Sequence, residues 1–205
     1  MTTWTFRGLV AALGLTTLTA CEAGQGLNLG PGLNQQAGRK ATLPLSRANM
    51  TAGVILVAPN GFCIDRASLE PRFAVMARCD TLGVKGVSGS APRGLVTVSL
   101  TPAKPGPLPT AQQMAAASAL ENVDDVETSV GLVTFRAQGR LPVGGYAPTQ
   151  WRGAARIGGQ IAGIAVYGPE NGEIISSTGR GILRQMVNLS VEATPKPIKR
   201  AAVPN

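Results

Sequence analysis

Residues 150–156 and 160–167 are two apolar-rich runs set around Gly158-Gly159. Two glycines between runs of strand length are a hairpin signal, because they supply the positive φ that a two-residue loop needs. A hairpin there demands a sheet to bury it, since an isolated one is marginal in water. The rest of the chain is punctuated in the same way, with 26 Gly and 15 Pro among 205 residues. That content argues for strands, turns and tails and against a helix bundle. A 44% hydrophobic content is too high for a disordered chain, and 15% charged residues is too low for a coiled coil.

Further strands are predicted at residues 53–59, 94–101 and 130–138. Asn60-Gly61 marks a turn after the first of them. Three helices are predicted. The first runs from Ser68 to about residues 80–83, on the 3–4 spacing of Leu69, Phe73, Met76 and Ala77. The second covers residues 111–120 and is capped by Thr110. The third covers residues 179–191, opened by Ser176 or Thr178, with Ile182, Leu183, Met186, Val187 and Leu189 as its apolar face. The order β-α-β-α-β-β-β-α implies an α+β fold, a single domain over residues 51–193. Its sheet is mostly antiparallel and packed by about three helices. A Gly-, Asn- and Gln-rich tether precedes the domain, and a basic, proline-broken tail over residues 194–205 follows it.

The N-terminus reads as an address. Arg7 is followed by an apolar run of 11 residues, 8–18. That is about half of the roughly 20 residues a spanning helix needs, and it suits a secretory signal over residues 1–20. Leu18-Thr19-Ala20-Cys21 resembles the lipobox of bacterial lipoproteins. The resemblance implies that Cys21 is lipidated and becomes the first residue of the mature chain, anchoring it to a membrane. It also implies a place in the cell envelope, facing the periplasm. Glu22 after the cysteine slightly favours the outer membrane. Residues 21–50 then form the anchor and the tether, with a mean reach on the order of 30 Å.

Cys63 and Cys79 remain, an even pair in an exported chain, and are expected to form a disulfide. Two free buried thiols are the alternative. The pattern of residues 151–191, a Gly-centred hairpin followed by a final helix, resembles the ending of small α/β/α proteins of the PsbP/Mog1 group. That resemblance implies a binding or assembly role.

Chemistry is bounded by what is missing. The chain has no histidine, which excludes Ser-His-Asp and Cys-His catalysis and His-ligated metals. Three cysteines are too few for a Cys₄ site. No cofactor, metal or catalytic residue is predicted. Asp124, Asp125 and Glu127 lack the spacing of a calcium loop and read as a solvated loop. Asp65, Glu70 and Asp80 are carboxylates near the first predicted helix, and Asp80 beside Arg78 reads as a structural partner. The glycines of residues 139–145 and 179–181 read as turn glycines, since neither stretch has P-loop spacing. Tyr146, Trp151 and Tyr167 read as packing aromatics.

Removing residues 1–20 takes away one cation, Arg7, and no acid, so the formal net charge falls from +8 to +7. Arg140, Arg152, Arg156, Arg180 and Arg184 lie in one half of the chain and are the candidates for an anion-binding face. The expected partners are the membrane, through the lipid, and an envelope protein complex or an anionic envelope polymer. Nucleic acid is not expected in that compartment. The expected function is non-enzymatic, a binding or assembly accessory. A hydrolase or transferase working through Asp or Glu is the alternative.

Overall fold

The computed structural model describes residues 43–85, 91–141 and 144–196. The signal segment, Cys21, most of the tether and the tail beyond residue 196 lie outside the described residues. Nine strands run in chain order: β1 (Arg47–Asn49), β2 (Ile55–Val57), β3 (Phe62–Ile64), β4 (Phe73–Arg78), β5 (Leu95–Pro102), β6 (Glu121–Ser129), β7 (Leu132–Gln138), β8 (Thr149–Ile157) and β9 (Gln160–Tyr167). Two α-helices, α1 (Ala111–Ala117) and α2 (Ser177–Ala193), complete the fold with three short 3₁₀ turns. Seven strands form one sheet in the order β3-β4-β5-β9-β8-β7-β6, and β1 pairs with β2 separately. Every pairing is antiparallel.

The β8–β9 hairpin stands inside the sheet as the sequence predicts, with Gly158 at φ +59° in the turn. β9 carries β5 on its other side, and β8 carries β7. Residues alternate between two faces along each strand. On one face Met76, Val96, Val98, Ile164, Val166 and Trp151 meet Leu183, Met186 and Val187 of α2 in the main core. Leu56 of β2 joins the same core. On the other face α1 covers only the β6–β7 side, where Ala111 and Ala115 pack on Phe135 and Ala137. No helix covers that face of β4, β5 and β9 among the described residues, and Ser99 and Thr101 are exposed there.

The helix predicted from Ser68 is a correction. Residues 73–78 form β4. The spacing of Phe73, Met76 and Ala77 fits a helix, but the same six residues also alternate. Ala74 and Met76 point into the core, while Phe73 and Val75 lie half-buried on the opposite face. Pairing with β5, Met76 opposite Val96 and Ala74 opposite Val98, supplies the hydrogen bonds and core contacts that decide between them. Ser68 ends a 3₁₀ turn that Asp65 caps by accepting from the Ala67 N–H at 3.0 Å. The Ser68 hydroxyl accepts from the Val75 N–H at 3.1 Å, holding that turn against β4. The described residues therefore hold two α-helices instead of the three predicted.

Two further differences bear on the site. The acidic stretch expected as a loop is the edge strand β6, bulged, with Asn122 and Asp125 at positive φ. Asn and Asp tolerate that conformation better than other side chains. β1 lies within residues expected to be tether, and its Ala48 is buried opposite Leu56 of β2.

Cys63 and Cys79 form a disulfide with their Cα atoms 4.8 Å apart. Cys63 pairs with Ala77, and Cys79 follows the end of β4. The bridge ties β3 to the residue just past the end of β4.

Candidate functional site

The five arginines do not share a face. Arg152 and Arg156 lie on β8 one residue out of phase with Trp151, so they point away from α2. Arg156 donates to the carbonyls of Lys104 and Gly106 in the connector before α1. Arg180 and Arg184 belong to α2, on the opposite side of the sheet. Arg184 reaches Glu127 at 2.5 Å and Arg180 reaches it at 3.6 Å. The Arg180 guanidinium also lies 5.3 Å from the centre of the Trp151 ring. Arg140 is exposed just beyond β7. Sequence proximity placed these residues together, and the two-residue period of β8 separates them.

The acidic stretch has a structural use. Arg136 on β7 makes a two-pronged contact with Asp124, at 2.9 and 3.0 Å, and lies 3.2 Å from Asp125. Donating to Asp124 raises the Arg136 pKa above its ordinary value. Nothing in the local sequence marks Arg136, because the pairing depends on the register of a bulged strand. Arg136 and Asp124, together with Asn122, Gln138, Glu173 and Ser176, line an open cleft of about 650 Å³. Arg136 is one cation against the two carboxylates of Asp124 and Asp125, so it is already occupied and the cluster is net negative. Asp80 pairs with Arg78, as expected. No cluster of three or more Cys, Asp or Glu is positioned to hold a metal ion among the described residues.

A second depression, about 250 Å³, runs between α1 and the uncovered part of the sheet. Met114, Ala117 and Leu120 form its helix side, with Phe73, Thr97, Ser99, Phe135 and Arg152 on the sheet side. Gly163 and Ala165 give the floor little side-chain bulk. α1 is held over it by its capping box: Thr110 accepts from the Gln113 N–H at 3.2 Å, and the Gln113 side chain accepts from the Thr110 N–H at 2.9 Å.

Arg152 is the one charged residue lining this groove. Its guanidinium lies 5.4 Å from the centre of the Tyr167 ring. Its Nε is buried without a hydrogen-bond partner. No carboxylate of the described residues lies within ion-pair distance of it. Burial lowers its pKa below that of an ordinary guanidinium, against an opposing pull from the Tyr167 phenol. Guanidinium stays charged through such a shift, so the groove holds a cation that no carboxylate of the described residues neutralises. An unpaired, partly desolvated charge is costly, and a bound anion offsets that cost.

The fold and this groove define an α+β domain with a cationic, apolar-walled depression beside a short helix. No protein-family model matches the chain, and no curated protein matches it.

Proposed function

We propose that the protein is a lipid-anchored bacterial envelope protein whose domain works as a binding or assembly accessory. The observation that carries the binding role is Arg152, a cation without an anionic partner among the described residues, in a groove on an uncovered sheet face. The lipobox at Leu18–Cys21 carries the anchor, and the Cys63–Cys79 disulfide suits an oxidising compartment. Anchoring by two or more acyl chains on Cys21 is durable, and the tether holds the domain near the membrane surface. The partners that fit are an envelope protein complex or an anionic envelope polymer.

A photo-crosslinking residue at the exposed Thr101, on the uncovered face, tests this in cells. A reproducible adduct recovered from membranes is expected, together with fatty-acid labelling that is lost in Cys21→Ala. Labelling that persists in Cys21→Ala overturns the anchor. A chain recovered only as an uncrosslinked monomer overturns the binding role.

A further inference from the structure

We propose that the groove between α1 and the sheet binds a single-chain carboxylate amphiphile, its head group on Arg152 and its chain along the α1 side. The inference rests on reading the domain as a binding module and names the ligand class for its groove.

Three observations converge on it. The first is charge. One guanidinium lines the groove, and no acidic side chain of the described residues pairs with it. A carboxylate matches that single charge and can take the two-pronged geometry of arginine–carboxylate pairs. A phosphate monoester brings a second charge for which the groove lining has no further cation.

The second observation is the wall. Met114, Leu120 and Phe73 are apolar and half-buried, and Met adapts to chains of irregular shape. An inorganic anion would leave these surfaces wet, whereas an alkyl chain covers them at about 0.8 kcal/mol per buried methylene.

The third is size. Taking a water's share of about 30 Å³ as the unit, a 250 Å³ groove holds about eight methylene-sized groups. That is a medium-length chain. A two-chain lipid is too large to be buried there, although part of one chain would fit. Small floor residues, Gly163 and Ala165, leave this space open along β9.

Photoaffinity labelling of the full chain in its membranes tests the proposal. The probe is decanoate carrying a diazirine. Decanol and decyl phosphate analogues carrying the same group are compared with it. Adducts of the decanoate probe are expected on α1 or β7 residues that line the groove, displaced by unlabelled decanoate. Labelling should fall at least about tenfold in Arg152→Gln, the loss expected for a charge-assisted hydrogen bond.

Ala117→Trp provides a second variant. Ala117 is exposed on the groove side of α1, so an indole there fills the groove without entering the core. It should abolish labelling with the disulfide still formed. Equal labelling of Arg152→Gln, or of Ala117→Trp, overturns the proposal. So does labelling by decanol or decyl phosphate that matches or exceeds decanoate. A groove without adducts, in a chain that still crosslinks to an envelope partner at Thr101, overturns the amphiphile and leaves the binding module standing.

Discussion

The Ser190 hydroxyl accepts a hydrogen bond from the backbone N–H of Val57, 3.0 Å away and 133 residues earlier in the chain. β2 pairs with β1 on one side only, so its other edge has no strand partner. α2 closes that edge with side chains. Thr194 repeats the arrangement, accepting from the Ile55 N–H at 3.0 Å while donating to the Ser190 carbonyl at 2.7 Å. Ser190→Ala leaves the Val57 N–H without its acceptor at a buried position. A loss of about 1–3 kcal/mol is expected by urea unfolding. An unchanged midpoint would show that the hydroxyl does not hold this edge.

Two glycines of α2 should respond in opposite directions. A Cβ on Gly179 would lie 1.8 Å from the Ile174 carbonyl oxygen and 2.5 Å from the Trp151 ring. That ring is fully buried, and its N–H donates to the Ser176 carbonyl at 2.6 Å, so it has no room to retreat. Gly179→Ala should lower the melting temperature strongly. A Cβ on Gly181 meets nothing within 4 Å. Gly181→Ala should stabilise by about 0.5–1 kcal/mol through helix propensity. Thermal unfolding of the two variants side by side checks both signs.

The disulfide closes a loop with a sequence separation of 16. Replacing both cysteines, Cys63→Ser with Cys79→Ser, should cost about 3 kcal/mol in the chain-entropy view. Thiol counting on the denatured, unreduced protein should find neither Cys63 nor Cys79 reactive.

Asp80 predicts a pH dependence. The hydrogen bond from Arg78, helped by the Thr81 N–H, holds its carboxyl below the ordinary 3.8, against a smaller opposing effect of desolvation. A depressed folded pKa means that the ionised form stabilises the fold above about pH 3.8. The contribution is lost as pH falls through the still lower folded value. Asp80→Asn should therefore be less stable than the parent at neutral pH, with the gap closing well below pH 3.8. Melting temperatures across that range measure it. A gap that stays constant with pH would mean that the ion pair contributes nothing.

The candidate site was legible only in part. Arg152 stands out in sequence as one of five arginines, with no sign that it differs from the others. Its distinction comes from facing the uncovered side of β8 near Tyr167, beyond ion-pair distance of every carboxylate of the described residues. Arg180 and Arg184 look equivalent to it in sequence, yet both form ion pairs with Glu127 of β6. The groove itself has no sequence signal. It exists because α1 is short enough to cover β6–β7 and stop there.

Features that act within a few residues could be read directly from the chain. The Gly158-Gly159 hairpin, the Asn60-Gly61 turn, the caps at Thr110 and Ser176 and the apolar stripe of α2 all belong to this kind. Their physics is backbone conformation and the satisfaction of nearby N–H groups, which local residue order encodes. Residues 73–78 mark the boundary of that information. Six residues, five of them apolar, satisfy either a helix or a strand, and β5, some twenty residues away, decided between them by offering a hydrogen-bonded edge and a core face. Likewise the two-residue period of β8 separated Trp151 from Arg152, but only the docking of α2 on the Trp151 side determined which of the two would be buried and which would line a groove.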